Sequence, residues 1–107
     1  MLSAGAPVPP HVVESIREAL TAPGADIHTP YGATEALPVA VISGRDIIGT
    51  TASRSAQGAG TCVGTLFPDV DVRIARIDDG PIRDFSALDL LAPGEIGEIV
   101  VRGPSVT

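Results

Sequence analysis

The sequence predicts an α+β fold: one helix–strand α/β unit over residues 1–53, then a small antiparallel β part over residues 54–107. Three observations carry this. Val12, Val13, Ile16, Ala19 and Leu20 recur at helical spacing, with Glu14, Arg17 and Glu18 on the other face. Val70, Val72 and Ile74 alternate with Asp71 and Arg73 at the two-residue period of a strand. Between them, Arg54 to Thr61 is small and polar with Gly58 and Gly60, reads as an exposed loop, and separates two halves of different texture.

The elements follow in order. Pro9 and Pro10 suit the first turn of a helix over roughly 9–21, and Thr21-Ala22-Pro23-Gly24 supplies its breakers. Ala25 to Thr29 is one short strand before Pro30. Leu37 to Ile42 is apolar but contains Pro38, which leaves a strand and a buried turn both open. Ser43 with Asp46 three residues later resembles a capping box for a short helix near 44–52. In the second half, Cys62 to Thr65 and Val70 to Ile74 read as strands. Arg76-Ile77 breaks the alternation and marks a bulge or strand end. Asp78-Asp79-Gly80 and Ala92-Pro93-Gly94 are turns, and Gly97 to Val101 is a closing strand.

Composition sets limits. A chain of 107 residues allows one domain at most, and with 3% aromatic residues its core is thin. All seven basic residues are arginines, set against 13 acidic ones for a net charge of -6. The phosphate-neutralising stripe of a general nucleic-acid binder is missing, so no nucleic-acid partner is expected. A single cysteine, Cys62, excludes an internal disulfide and a cysteine zinc cage, and points to a reducing compartment. No apolar run reaches the roughly 18 residues of a transmembrane segment, and Met1-Leu2-Ser3 does not open a signal peptide, which makes the cytoplasm the expected location.

Three glycine-bearing segments are candidates for chemistry. Gly5-Ala6-Pro7 reads either as a turn against which a flat ligand lies or as the plain entry to a helix. Tyr31-Gly32-Ala33-Thr34-Glu35 puts a stackable ring, a permissive glycine, a hydroxyl and a carboxylate within five residues. Tyr31 can stack on a purine, Gly32 permits close approach, Thr34 can donate to a phosphate oxygen, and Glu35 is a hard oxygen ligand for Mg²⁺. The plain alternative is a strand-to-helix connection with Thr34 as cap and Glu35 as first-turn acid. Gly94 to Ile99 is the third segment. Asp78, Asp79, Glu95 and Glu98 read as solvated turn and strand-flank charges, and His11 and Cys62 as surface and packing residues. His28 lies close to the Tyr-Gly motif.

In this order and spacing the segments resemble the adenylate-forming (AMP-binding) superfamily of acyl-CoA synthetases, luciferase-type enzymes and peptide-synthetase adenylation domains, over essentially the whole chain. Gly60-Thr61-Cys62-Val63-Gly64, Pro68 to Val72 and Gly94 to Gly103 are similar to further stretches of that family, with Asp69 where glycine is common and Thr29 where asparagine or glutamine is usual. The segments around Gly5 and Tyr31 look closest to a fatty-acid CoA ligase-like branch that includes olefin β-lactone synthetases.

The resemblance implies a piece of the N-terminal domain of a larger ligase that activates a fatty or β-hydroxy acid with ATP and Mg²⁺, with the β part arranged like a distorted barrel. The acyl group then passes to coenzyme A or to the acid's own hydroxyl. It implies that Gly5, Ala6, Pro7, Tyr31 and Gly32 face adenine, that Thr34 contacts the α-phosphate, and that Glu35 holds the metal. No catalytic residue falls within the chain. The family's lysine-bearing loop and catalytic lysine cannot occur in a lysine-free sequence, and no ribose-binding Thr-Gly-Asp follows Arg102-Gly103. The 107 residues are therefore expected to be an inactive internal piece, with apolar surface that favours self-association. A non-catalytic remnant or interaction module on the same scaffold is the alternative.

Overall fold

The computed structural model describes all of residues 1–107. Helix α1 spans Pro10–Ala19, two residues short of the expected end, because Leu20 is already extended. Strand β1 (His28–Ala33) and strand β2 (Ala36–Ser43) form an antiparallel hairpin, and β3 (Thr65–Leu66) pairs with the other edge of β2. Strands β4 (Asp71–Ala75) and β5 (Glu98–Arg102) make a separate two-stranded antiparallel sheet. The mixed α+β class holds. Two strands close no barrel, so the barrel-like part of the expectation is limited to this open ladder.

The expected helix–strand unit survives in a reduced form. Leu2 bridges His28 in parallel, with His28 N–H donating to Met1 O at 2.8 Å and Ser3 N–H to His28 O at 3.1 Å, so α1 is the crossover between two parallel segments. The rest of the sheet is antiparallel.

Both prolines sit where no ladder bond is lost. Pro30 lies on edge strand β1, and the strand runs through it to Ala33 instead of stopping at Thr29. Pro38 falls where the β1–β2 register shifts and lies beyond the Ala40–Leu66 and Val41–Thr65 pairs of β3. That settles Leu37 to Ile42 as strand.

After β2 the chain is helical over residues 44–59, which we label α2. The Ser43–Asp46 capping pair is present: Asp46 N–H donates to Ser43 Oγ at 3.1 Å, and the Ser43 hydroxyl donates to Asp46 Oδ2 at 2.7 Å. Two wide, π-type turns at Ile47–Thr51 and Ser55–Ala59 carry α2 past the expected stop near residue 52. The stretch read as an exposed loop from Arg54 is thus helical until Gly58, at φ 91°, turns out of the helix. Cys62 and Val63 are outside any strand, so the strand expected there begins only at Thr65.

The core lies between α1, the hairpin and α2. Val13 and Ile27 are fully buried, and Ile42 and Ile47 nearly so, with Val8, Ile16, Ile48 and Ala52 packed around them. Asp26 ties these elements together. Its Oδ1 accepts from Ile27 N–H at 2.9 Å and Arg17 Nε at 3.1 Å, and its Oδ2 accepts from Arg45 N–H at 3.0 Å. Burial pushes the Asp26 carboxyl toward its neutral form. The two backbone N–H donors, with the Arg17 and His28 charges, outweigh that and hold it below its ordinary value.

In the second sheet, Asp71 stands opposite Arg102 and pairs with it at 3.0 Å, and Arg73 is 3.7 Å away on the same face. Both guanidiniums lie over the Phe85 ring, at 4.3 and 4.4 Å from its centroid, and Arg73 Nη1 donates to Phe85 O. That stack fastens the long 76–97 connection over one face of the sheet. Both expected turns occur in this connection: Gly80 N–H donates to Asp78 Oδ1, and Glu95 N–H donates to Ala92 O.

Candidate functional site

Two open cavities of about 630 Å³ mark the surface. The one beneath the 76–89 connection is lined by Asp78, Asp79, Asp84, Asp89 and Glu98 against Arg76 and Arg83, and by no aromatic ring. Its acidic excess repels phosphate. The other lies between the N-terminal segment, β1 and α2, and no charged residue lines it. Its walls include Ala6, Pro7, Tyr31 and Gly32, four of the residues singled out in the sequence and up to 26 positions apart. Its size falls within the range of small-molecule sites.

Each element has a local reason to be there. Gly5, at φ 100°, takes the left-handed conformation that turns the chain into Ala6-Pro7-Val8, and Pro9-Pro10 then starts α1. Gly5 itself does not line the cavity. Tyr31 projects from β1 with its side chain partly exposed, free to stack. Gly32 has a reason inside the hairpin: a Cβ there would run into Ala36 O and come within 2.8 Å of Leu37 Cδ1. Hairpin closure alone therefore requires glycine at this position, whatever occupies the cavity.

Thr34 and Glu35 form the two-residue turn between Ala33 and Ala36. No helix follows, which removes the alternative of Thr34 as helix cap and Glu35 as first-turn acid. Neither lines the cavity. The Glu35 side chain is exposed and makes no ion pair or hydrogen bond; only its backbone carbonyl is engaged, by Thr107. No cluster of three or more acidic, histidine or cysteine side chains could hold a metal by itself. Glu35 fits Mg²⁺ only as a single carboxylate sharing the ion with substrate phosphates, which is how Mg²⁺ is commonly held.

The sequence reading assigned no binding role to part of the wall. Thr51 and Ser55 from α2, Thr61 and Cys62 from the segment after it, and Ile99 from β5 line the same cavity. The hydroxyls of Thr51, Ser55 and Thr61 join those of Thr29 and Tyr31 as polar groups along the wall. Thr51 and Ser55 sit four residues apart on α2, a spacing that would have signalled a shared face had the helix been expected to continue. Ile99 ends the third glycine-bearing segment singled out in the sequence, but only the tertiary fold brings β5 to β1. His28 does not line the cavity, although its neighbours Thr29 and Pro30 do.

The chain is 56% identical over 105 residues to an olefin beta-lactone synthetase of Stenotrophomonas maltophilia and 54% identical to one of Xanthomonas campestris pv. campestris. Each match covers 98% of this chain but only 19% and 18% of the relatives. The chain thus spans about a fifth of the length of the curated relatives it matches. Among solved structures it resembles VinN (27% identity, TM-score 0.66), covering 98% of this chain and 22% of that one. It also resembles the amide bond synthetase McbA of Marinactinospora thermotolerans (30%, 0.63; 98% and 18%) and the unliganded o-succinylbenzoate coenzyme A synthetase of Bacillus subtilis (25%, 0.65; 98% and 18%). The mixed helix and antiparallel-sheet architecture is the one expected for part of the N-terminal domain of adenylate-forming enzymes. The family model described as AMP-binding enzyme matches residues 1–107 from end to end, and the chain belongs to that family.

Proposed function

We propose that this chain is the adenine-facing part of an ATP-dependent carboxylate-activating enzyme. One observation carries the reading: Ala6, Pro7, Tyr31 and Gly32 line a single uncharged cavity in a chain more than half identical to olefin beta-lactone synthetases. In this reading residues 1–53 hold the adenine segments, and residues 54–107 form the β-rich part. Tyr31 stacks on adenine beside Gly5-Ala6-Pro7 and Gly32, and Thr34 donates to the α-phosphate. Glu35 would be the carboxylate that holds Mg²⁺, which when bound would supply charge neutralisation at the phosphates.

A carboxylate oxygen of the acid attacks the α-phosphorus, pyrophosphate leaves, and an acyl-adenylate forms. With a β-hydroxy fatty acid, the substrate's own hydroxyl then attacks the acyl carbon. It loses its proton, expels AMP and closes a β-lactone, so coenzyme A is not consumed. The names of both curated relatives favour this outcome over a coenzyme A thioester. The reading places the enzyme in fatty acid metabolism in the cytoplasm. It also leaves residues 1–107 alone inactive and prone to self-association through apolar side chains such as Ile96, which is 95% exposed.

The test uses the full-length protein with ATP, Mg²⁺ and a β-hydroxy fatty acid, without coenzyme A. Pyrophosphate and a β-lactone are expected. Tyr31→Ala should raise the KM for ATP about tenfold, the worth of one base–aromatic stack. Glu35→Ala should weaken the Mg²⁺-dependent step and leave the fold intact. A thioester formed only when coenzyme A is added would replace the lactone outcome, and no acid-dependent release of pyrophosphate would overturn the reading.

A further inference from the structure

The turn that presents Thr34 and Glu35 is held from outside its own hairpin. It has two residues, yet neither is in the left-handed region; the only non-glycine residue with positive φ is Asp69. Two-residue hairpin turns that follow the right-handed strand twist need left-handed residues, and turns without them splay the strands. The register shift between Tyr31 and Ala33 takes up part of the mismatch.

The remaining support comes from the far end of the sequence. Thr107 N–H donates to Glu35 O at 2.8 Å, its hydroxyl donates to the same oxygen at 3.3 Å, and Val106 bridges Ala36 in antiparallel fashion. This segment is itself anchored. It leaves β5 at Arg102, closes a turn through Val106 N–H to Gly103 O at 3.2 Å, and packs Gly103 against Asp69 and Val70. A path of direct contacts therefore runs from the β4–β5 sheet to the backbone of Glu35, across 72 residues of sequence.

We propose that Thr107, supported by Val106, is a positioning residue that clamps the Glu35 carbonyl and so fixes where the Thr34–Glu35 turn presents its hydroxyl and carboxylate to nucleotide and metal. This rests on the function proposed above. The clamp holds the backbone, so its main part is the Thr107 N–H, which a side-chain change leaves in place and proline removes. The hydroxyl adds a longer, weaker bond.

The test compares Thr107→Pro, Thr107→Val and Thr107→Ser in the full-length protein by two readouts: deuterium uptake of the peptide covering residues 31–38, and the Mg²⁺ concentration that half-saturates acid-dependent ATP–pyrophosphate exchange. Thr107→Pro should speed uptake at the hairpin tip and raise the half-saturating Mg²⁺ concentration, each by roughly 2- to 10-fold, the factor one net hydrogen bond supplies. Thr107→Val should shift both less, and Thr107→Ser should match the wild type. If Thr107→Pro does not fold, the Thr107→Val and Thr107→Ser pair decides. A drop in melting temperature with Mg²⁺ dependence and tip uptake unchanged would overturn the clamp. If the wild type shows no acid-dependent exchange, the functional reading fails, and the uptake measurement alone decides the clamp.

Discussion

Asp26→Ala tests the packing argument most directly, because one side chain joins three elements. The Asp26 side chain is only 8% exposed and accepts from two backbone N–H groups and Arg17. Charge-assisted bonds of this kind each contribute about 1.5–3 kcal/mol. Arg17 is one-third exposed and can turn to water, so its pair is worth about 0.5 kcal/mol. The two amides recover part of their loss through hydration, and a net cost of about 3 kcal/mol remains for opening the junction of β1, α1 and α2.

Hydrogen exchange reads this locally, without a two-state assumption for a larger chain. Peptides carrying the amides of Ile27, Gly44 and Arg45 should exchange about 10²-fold faster in Asp26→Ala, and Asp26→Asn, which keeps one acceptor oxygen, should fall between. The pH dependence has a definite sign. Because the folded carboxyl titrates below its ordinary value, its contribution is complete above the unfolded carboxylate range and is lost as pH falls through the depressed folded value. The difference between variant and wild type should therefore be constant near neutrality and shrink at acid pH. Acceleration of less than about threefold in both peptides, against the hundredfold set by these bonds, would refute the account.

Two further substitutions probe backbone and hairpin. Gly32→Ala drives a Cβ into Ala36 O and Leu37, and overpacking of this kind costs about 1–3 kcal/mol; unchanged exchange over residues 31–38 would contradict it. Asp69 sits at φ 66°, a left-handed conformation open to aspartate and costly for a β-branched residue. Asp69→Gly should leave the melting temperature unchanged or raised and Asp69→Val should lower it, and equal effects of the two would remove the conformational explanation.

Much of the site was readable from residue types. Tyr31, Gly32, Ala6 and Pro7 were selected from ring, glycine and turn chemistry and from family resemblance, and they meet at one cavity. Thr34 and Glu35 were read together and do form one turn, but a turn of a hairpin and not the start of a helix. Local signals succeeded where the structure is local, as in the Ser43–Asp46 cap and the strand end after Ala75. They failed at Pro30, because a proline's effect on a strand depends on whether its missing N–H faces a neighbour. They failed again at Arg54, because small polar residues continue a helix as readily as a loop once Ile47 is anchored in the core.

By itself the sequence determined the α+β class, the family and the net charge of -6, and it singled out the residues whose chemistry suits a nucleotide. Only the tertiary structure decided which sheet faces are covered. On β4 and β5 the side carrying Asp71 and Arg73 buries Ala75 and Val100 beneath the connection that Phe85 fastens, while Ile74 and Ile99 on the apolar side stay more than one-third exposed. Alternation states only that two faces differ. Which one loses water depends on what the long-range contacts lay over it, and the bond from Thr107 to the Glu35 carbonyl is decided in the same way.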